Sequence, residues 1–327
     1  MKVLTPQSLD MAATASVDSG SGRAHAKAIL LGEHAVLYGS PALAIPVPRL
    51  TVAARATRFA EPGTTVFLMN GPTGTTPYTC DGLQKIAEAL TGGGDGRRVE
   101  VLLQCEIPAG RGLGSSAACA RAAVLALADL FNRDLDLREV YELVQVAENI
   151  AHGRASGVDA LTTGAVDPLL FENGTAEQIR IGFDGLFVIA DSGMAGRTKD
   201  AVSLVRDAFE QQPGARERFV GTVSELVRSA ARDLANGDAI AFGRSMSECH
   251  VALCELGLST VLVDAMVDAA VSAGALGAKI SGGGLGGCLI ALADSQEDAW
   301  GVGRALREAG AVRTWTVPVG RYARHDR

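Results

Sequence analysis

Lysine, aromatic residues and clustered positive charge are scarce in this chain. Of its 327 residues, five are lysine and 25 are arginine, 5% are aromatic, and the net charge is −7. The basic residues are scattered, which excludes the basic patch of a nucleic-acid-binding domain and the polybasic segment of a membrane-surface protein. An anionic ligand would therefore have to be bound by local hydrogen-bond donors.

Cysteine pairs and long apolar runs are also missing. The six cysteines form no CxxC pair, and Cys249, His250 and Cys254 do not have zinc-site spacing. Reduced thiols in a cytoplasmic protein are therefore expected. No run of 18 uncharged apolar residues is present, which argues against a transmembrane helix. Residues 1–22 lack the apolar core of a secretory signal, so a flexible tail is expected there.

The remaining chain is long enough for two globular domains, since 47% of all residues are hydrophobic and 20% are charged. Apolar runs predict strands at 23–31, 42–56, 66–69, 99–107, 185–193, 286–294 and 313–320. Helices are predicted at 83–90, 116–130 and 138–152 and in four segments between 199 and 273. We therefore expect a mixed α+β protein with domains at 23–183 and 184–327.

The most informative segment is PAGRGLGSSAACARA, residues 108–122, which joins a predicted strand to a predicted helix. Glycine lets a ligand approach the backbone, and N–H groups at a helix start attract anions, so the segment predicts a phosphate-binding loop. A Walker loop is excluded because no lysine precedes the serines. Gly112, Gly114 and Ala117 do match a dinucleotide-binding GxGxxA, but no second strand ending in an acidic residue follows. A dinucleotide-binding oxidoreductase is therefore a remote alternative.

The complete string from Pro108 to Ala117 resembles the signature motif P-x-G-x-G-L-G-S-S-A of the GHMP small-molecule kinases. KAILLGEHAVLYG at 27–39 is similar to the first motif of that family, and KISGGGLGGCLIAL at 279–292 to the third, so the resemblance runs from residue 23 to the end. Within the family, the first motif is most similar to the mevalonate kinase branch. Galactokinases carry an acidic residue soon after the histidine, where Ala35 and Val36 stand here.

The resemblance implies a two-domain fold with its site in the cleft between the domains. The first domain would resemble domain 2 of ribosomal protein S5, and the second would be ferredoxin-like. The implied reaction is transfer of the γ-phosphate of ATP to the 5-hydroxyl of (R)-mevalonate with Mg²⁺, by a monomer or a homodimer.

Several alternatives remain open within and outside this reaction class. They are a phosphomevalonate kinase, another GHMP kinase of sugars or sugar acids, the related diphosphomevalonate decarboxylase, and a GHMP-fold sensor without catalysis. A phosphorylated substrate would require further basic residues, for which Arg154 and Arg197 are candidates.

Nucleotide and metal binding are expected at the glycine loop. By resemblance, the ATP-binding residues are Pro108, Ala109, Gly110, Arg111, Gly112, Leu113, Gly114, Ser115, Ser116 and, more weakly, Asn70. The Ser116 hydroxyl suits Mg²⁺, although serine there could also cap the helix. Glu148 lies at the border of the apolar stripe of its helix, an unusual place for a solvated glutamate, and the resemblance implies that it binds magnesium.

Two charged residues are expected to act on the acceptor hydroxyl. Lys27 stands within the apolar strand AHAKAILL, where a compact ammonium could serve at a reacting oxygen or merely extend to solvent. Asp159, in SGVDALTTG, is predicted to lie in a loop, where aspartate often only forms a turn. The resemblance implies that Asp159 is the base and that Lys27 is its catalytic partner.

Substrate contacts are expected at the end of the first strand and in loops. Glu33 and His34 follow that strand, although a structural histidine is equally open for His34. The segment GGGLGG at 282–287 could hold phosphates, or it could be only a tight backbone crossing. By resemblance, the substrate residues are Glu33, His34, Ser156, Thr198 and Gly283.

Overall fold

The strands of this protein form two separate sheets in a computed structural model that describes residues 18–71, 74–92, 96–153 and 155–325. The first sheet contains β1 (Ser19–Leu31), β2 (Ala42–Pro62), β3 (Thr65–Gly71), β4 (Gly74–Pro77), β5 (Arg97–Cys105), β6 (Leu169–Glu172) and β7 (Thr175–Gln178). The second contains β8 (Gly185–Asp191), β9 (Gly277–Ser281), β10 (Cys288–Ala293) and β11 (Arg313–Val319).

The helices lie between these strands along the chain. They are α1 (Asp81–Thr91), α2 (Ser115–Leu130), α3 (Leu137–His152), α4 (Val158–Thr162), α5 (Thr198–Gln211), α6 (Ala215–Asn236), α7 (Ala239–Glu255), α8 (Val261–Ser272) and α9 (Gln296–Glu308). Every segment that the sequence pattern predicted coincides with one of these elements, with its ends shifted by a few residues. Among the described residues, no helix has the length and apolar character that a membrane span requires.

The long strand β2 organises the first sheet, whose order is β4-β3-β5-β2-β6-β7. One edge of β2 pairs with β1, and the other edge pairs with β6 near its start and with β5 further along. All these pairings are antiparallel, whereas β3 and β5 run parallel. β5 leads directly into the glycine loop, and this places the loop at the end of the central strands.

Helix α2 packs closely on β1 because both elements carry small residues. A Cβ atom on Gly20 or Gly22 would come within 2.2 Å of the α2 backbone, so only glycine permits this approach. The strand begins at Ser19, so residues 19–22 belong to β1. The prediction of a flexible tail is wrong for these four residues. Residues 1–17 of that tail lie outside the described residues.

The second sheet has the order β11-β8-β10-β9 and is antiparallel throughout. Helices α5 to α8 connect β8 to β9, and α9 connects β10 to β11, which gives the βαββαβ succession of a ferredoxin-like domain. The expected fold class is confirmed in this half. The expected domain boundary at residues 183–184 falls in the connection between β7 and β8.

Candidate active site

The structure brings Lys27 and Asp159 into direct contact. The Lys27 Nζ atom is 3.0 Å from Asp159 Oδ1, with 3% of the lysine side chain and 32% of the aspartate side chain exposed. The same ammonium donates a hydrogen bond to the Gly112 carbonyl at 3.1 Å. Lys27 is therefore not a surface lysine that extends to solvent; it joins β1 to α4 and to the glycine loop.

Asp159 lies in the first turn of α4, so the prediction of a loop at this position was wrong. The helix has only five residues, too few to produce a periodic apolar pattern in the sequence. Gly157 precedes it with a φ of 94°, and the Thr162 hydroxyl closes it by donating to the Val158 carbonyl at 2.7 Å. This turn holds the Asp159 carboxylate at the edge of the site, partly open to solvent.

The glycine loop has the conformation that its sequence suggests. Gly110, Gly112 and Gly114 have φ values of 66°, 77° and 71°, in the left-handed region that glycine tolerates. A Cβ atom on Gly114 would stand 2.9 Å from Lys27 Cγ, so a side chain there would displace the lysine. Within the described residues, no hydrogen bond is found from the N–H groups of residues 112–114 to a protein acceptor.

Helix α2 starts directly after this loop, with Gly114 as its N-cap residue. No side chain caps the first turn of α2. The alternative in which Ser115 and Ser116 serve as helix caps is therefore not supported. Both hydroxyls lie at the start of a helix whose first N–H groups face the loop, a position suited to phosphate.

Glu148 is buried on α3, because the buried face of this helix differs from the predicted apolar stripe. Val146 and Ile150, two apolar residues that an amphipathic helix would be expected to bury, are 46% and 43% exposed. The buried residues of α3 are Val140, Val144, Ala147 and Glu148. The helix is rotated so that a carboxylate, rather than two apolar side chains, faces the protein interior.

The surroundings of Glu148 place it in the same cluster as Lys27 and Asp159. Burial raises the pKa of the Glu148 carboxyl, and the nearby Asp159 carboxylate raises it further. The nearby Ser116 hydroxyl opposes this rise, as do the charges of His152 and Lys27. The Glu148 Oε1 atom is buried and has no hydrogen-bond partner among the described residues.

The second glycine segment, residues 282–287, packs against the first. A Cβ atom on Gly112 would lie 2.8 Å from the Ser281 carbonyl oxygen, and one on Gly282 would lie 2.8 Å from Gly112 Cα. The Cys288 N–H also donates to the Arg111 carbonyl at 3.1 Å. These glycines are required by a close backbone crossing, and that crossing brings the segment from the second half beside the first glycine loop.

Glu33 and His34 lie between the two halves and face the second. The Glu33 carboxylate pairs with the Lys279 ammonium on β9, and both side chains are at most 1% exposed. His34, with a φ of 57°, has its Nε2 atom 2.9 Å from the Gly283 carbonyl oxygen. Burial lowers the pKa of His34, so the neutral ring is favoured. This hydrogen bond supports the alternative in which His34 has a structural role.

The other expected substrate residues lie around the same opening. Thr198 is the exposed first residue of α5, and a Cβ atom on Gly283 would lie 2.4 Å from its hydroxyl oxygen. The Ser156 hydroxyl accepts a hydrogen bond from the Val158 N–H at 3.4 Å, just before Asp159. Ser156 is therefore close to Asp159 in the chain, and Thr198 lies against the second glycine segment.

Two groups of expected residues are not joined to this cluster. Asn70 is exposed on β3, where it pairs with Gln104 of β5, and no side-chain hydrogen bond of Asn70 is found within the described ranges. Arg197 is exposed and lies 3.6 Å from Asp200. Arg154 lies outside the described residues. Of these two candidate basic residues, the structure therefore places only Arg197, whose guanidinium is next to Asp200.

Sequence reasoning missed two buried cations. Lys279 was noted only as part of the third motif, although it is one of five lysines in the chain and stands in an apolar strand, as Lys27 does. Arg121 interrupts the alanine run of α2, and its guanidinium donates to the Ala160 carbonyl of α4 at 3.4 Å. Burial lowers the pKa of Arg121. An isolated charge in an apolar run was the available signal in both cases.

Comparison with known proteins agrees with the fold and the motifs. Residues 80–164 match the GHMP kinases N terminal domain, and residues 230–312 match the GHMP kinases C terminal domain. A curated mevalonate kinase of Thermococcus onnurineus is 31% identical over 316 residues, which cover 88% of this chain and 93% of the relative.

Solved structures show the same similarity. Mevalonate kinase from methicillin-resistant Staphylococcus aureus is 28% identical, with a TM-score of 0.71 and coverage of 93% of this chain and 99% of that chain. L. major mevalonate kinase in complex with R-mevalonate is 24% identical, with a TM-score of 0.78 and coverage of 93% and 97%, and it supports the fold. The chain belongs to the GHMP kinase family, and its resemblance within that family is to the mevalonate kinases.

Proposed function

We propose that this chain transfers the γ-phosphate of ATP to the 5-hydroxyl of (R)-mevalonate, which yields 5-phosphomevalonate for isoprenoid synthesis. The observation that carries the proposal is the contact of the Lys27 ammonium with both Asp159, at 3.0 Å, and the Gly112 carbonyl of the phosphate-binding loop, at 3.1 Å. An alcohol beside Asp159 would therefore also be beside the phosphates. The names of the relatives support mevalonate as that alcohol.

The proposed chemistry is an in-line displacement at the γ-phosphorus. The 5-oxygen forms a bond to phosphorus while the bond to the β-phosphate oxygen breaks, and ADP leaves. Asp159 accepts the hydroxyl proton, and the Lys27 ammonium stabilises the negative charge that develops on the oxygen. The partial exposure of Asp159 leaves room for the acceptor, whereas the burial of Lys27 excludes water from the ammonium.

ATP is proposed to bind at the loop from Pro108 to Ser116. The unpaired N–H groups of residues 112–114 and the start of α2 would hold the β- and γ-phosphates. The crossing of this loop with residues 282–287 fixes its shape from the other half of the molecule. Asn70 lies at the end of β3, beside the strand that leads to the loop. We propose that it contacts the nucleotide from there.

The donors near the loop fit Mg²⁺. Magnesium prefers oxygen ligands and takes few of them from the protein. Glu148 offers a buried carboxylate oxygen without a hydrogen-bond partner among the described residues, and the Ser116 hydroxyl lies near the same carboxylate. We propose Ser116 and Glu148 as the metal ligands. The ion would neutralise phosphate charge when bound.

The proposed mevalonate cleft lies between α4, α5 and the second glycine segment. Thr198 on α5, whose hydroxyl packs against Gly283, and Ser156, just before α4, would contact the substrate. Glu33 and His34 would form the wall, because their contacts with Lys279 and Gly283 fix their positions.

An unphosphorylated acceptor suits this cleft better than phosphomevalonate. Within the described residues, Lys27 is the only cation paired with Asp159. A phosphorylated acceptor would need a further basic cluster. Mevalonate and ATP are soluble metabolites, and all six cysteines are free thiols, which supports our placement of the enzyme in the cytoplasm.

The test is an ADP-release assay with four acceptors, namely mevalonate, phosphomevalonate, galactose and homoserine. The purified chain should release ADP with mevalonate at a kcat/KM at least ~100-fold above that for the other three, because hydrogen bonds to a matched substrate give discrimination of that order or more. Asp159→Asn is the matched control, and it should retain ATP binding but lose turnover. Preferred turnover of phosphomevalonate, or wild-type turnover by Asp159→Asn, would contradict the proposal.

A further inference from the structure

A second cluster of donor atoms lies outside the proposed kinase site, where α7 turns into α8. His250 and Cys254 are one helical turn apart on α7, and Asp264 lies in the first turn of α8. The His250 Nε2 atom is 3.4 Å from Asp264 Oδ1 and 3.5 Å from Cys254 Sγ. The Cys254 sulfur is 3.6 Å from Asp264 Oδ1. Three chemically different donors thus form a nearly equilateral triangle.

These separations match the ligands of one tetrahedral ion. Nitrogen and oxygen bind zinc at about 2.0–2.2 Å and sulfur at about 2.3 Å, so neighbouring ligands of a tetrahedral zinc ion lie roughly 3.3–3.6 Å apart. The three measured edges of 3.4, 3.5 and 3.6 Å fall in this range. The edge between His250 Nε2 and Asp264 Oδ1, at 3.4 Å, exceeds the usual length of a hydrogen bond between nitrogen and oxygen, whereas the two edges to sulfur are also ordinary lengths for hydrogen bonds of a thiol.

Two neighbouring groups are suited to complete the site. Asp268 lies one turn after Asp264 on α8. Burial and the charge of Lys279 lower the pKa of His250, and the carboxylates of Asp264 and Asp268 oppose that shift. The Ser259 hydroxyl in the connecting turn is buried, has no hydrogen-bond partner among the described residues and lies near the Cys254 thiol. A fourth ligand is therefore available from Asp268 or from a water held by Ser259.

The same geometry argues against a catalytic cysteine. In a nucleophilic triad the cysteine and the carboxylate contact different ring nitrogens of the histidine. Here both face Nε2 of His250, and the Ile280 N–H donates to Nδ1 at 3.4 Å. Burial and the Asp264 carboxylate raise the pKa of Cys254 to about 11, so the free thiol is not reactive.

The geometry points to a zinc-type cation site formed by His250, Cys254 and Asp264. Binding would displace the thiol proton of Cys254 and would move the single ring proton of neutral His250 from Nε2 to Nδ1, which frees Nε2 for the cation. The ring proton would then reside on Nδ1, at the expense of the long contact with Ile280. The linear spacing of cysteine and histidine does not indicate this site, because its third ligand comes from the next helix.

A bound ion would also fix the turn that supports the second glycine segment. The Leu285 N–H donates to the Leu258 carbonyl at 2.8 Å, and a Cβ atom on Gly284 would lie 2.7 Å from the same oxygen. Leu258 belongs to the turn between the two ligand-bearing helices. The site therefore has a structural role that is independent of the proposed magnesium ligands.

Cobalt(II) titration of the full chain without ATP or magnesium tests this site. A thiolate ligand gives Co²⁺ a charge-transfer absorption band, which oxygen ligands alone do not give. One Co²⁺ per chain should produce this band, and Zn²⁺ should remove it by displacement. Cys254→Ser should abolish the band, and Asp264→Asn should weaken the affinity at least ~10-fold, the scale seen when the ligand set of a metal site is impaired.

The matched control is Cys80→Ser, which alters a partly exposed cysteine outside the cluster and should leave the band unchanged. Zn²⁺ should raise the melting temperature of the wild type and of Cys80→Ser, but not of Cys254→Ser. No band in the wild type, or a band that persists in Cys254→Ser, would overturn the inference. None of these readouts depends on kinase activity.

Discussion

The buried ion pair between Glu33 and Lys279 gives a stability prediction that can be worked out in some detail. At most 1% of either side chain is exposed, and the pair joins the end of β1 to β9 in the other sheet. Lys279→Met keeps most of the side-chain volume but removes the ammonium. The Glu33 carboxylate, whose Oε2 atom has no partner within the described residues, would then be a buried charge without a counter-charge.

Removing one partner of a buried pair typically costs about 3–5 kcal/mol, whereas replacing both by neutral groups is often close to neutral. We therefore expect Lys279→Met to lower the free energy of unfolding by about 3–5 kcal/mol. The double variant Glu33→Gln/Lys279→Met should be more stable than Lys279→Met by about 2 kcal/mol or more. The folded state is stabilised by the pairing of the two opposite charges, and neither charge stabilises it alone.

Urea unfolding followed by tryptophan fluorescence measures these differences, since Trp300 and Trp315 are the only tryptophans and both lie in the second half. Lys199→Met, an exposed lysine on α5, is the matched control and should stay within about 0.5 kcal/mol of the wild type. A loss below about 1 kcal/mol for Lys279→Met would refute the reasoning, because it falls well short of the cost of an unpaired buried charge. A double variant no more stable than Lys279→Met would refute it as well.

Three further predictions concern the proposed site and pH. Gly114→Ala should lower kcat, because the new Cβ would lie 2.9 Å from Lys27 Cγ and displace that side chain. It should also lower the free energy of unfolding by at least about 1–2 kcal/mol, because φ is 71° at this position. Steady-state kinetics measures the first effect, and urea unfolding measures the second. Glu148→Gln should raise the magnesium concentration needed for half-maximal activity, because a neutral amide is a weaker ligand than a carboxylate; a Mg²⁺ titration at saturating ATP measures this. The free energy of unfolding should fall below pH 6.5, because the pKa of His34 is lowered in the folded state and the unfolded chain takes up the proton. In the wild type the free energy of unfolding should therefore be lower at pH 5.5 than at pH 7.5, and His34→Gln should reduce this difference by up to about 1.4 kcal/mol. That is the free energy of one pKa unit, since pH 5.5 lies one unit below the ordinary pKa of histidine.

Each of these has its own control and its own contrary result. Gly39→Ala changes a glycine that also has a positive φ but has no atom within 4 Å of the added Cβ, so it should lose stability without a specific loss of kcat. An unchanged kcat in Gly114→Ala would argue against the close packing on Lys27. Unaltered magnesium dependence in Glu148→Gln would remove that residue from the metal site. Equal pH dependence in the wild type and His34→Gln would mean that His34 is not the responsible group.

The sequence predicted most of the fold, since long periodic segments and the ten-residue glycine motif are local properties. The helix α9 was missed, although Ser295 caps it by accepting a hydrogen bond from the Asp298 N–H. Its N-terminal part, SQEDAWG, is polar and interrupted by glycine, so its apolar periodicity is weak. The short strands β6 and β7 were also missed, because four residues carry too little pattern to be distinguished from a loop.

The candidate site was predictable where a charge stood in an apolar segment, and less so where packing decided the outcome. Lys27 could be identified because an ammonium in an apolar strand needs a partner. The burial of Glu148 depended on the rotation of α3, which α2 and the rest of the core determine. The partners of Glu33 and His34 come from a strand and a loop of the other half, and no local spacing encodes these contacts.

The most direct test of the central claim is a crystal structure of the chain with a non-hydrolysable ATP analogue and (R)-mevalonate. We expect the 5-oxygen of mevalonate to lie within hydrogen-bond distance of the Asp159 carboxylate, about 2.6–3.2 Å, and roughly 3–3.5 Å from the γ-phosphorus. The triphosphate should contact the N–H groups of residues 112–114. A triphosphate bound away from this loop, or a 5-oxygen out of reach of both Asp159 and Lys27, would contradict the account.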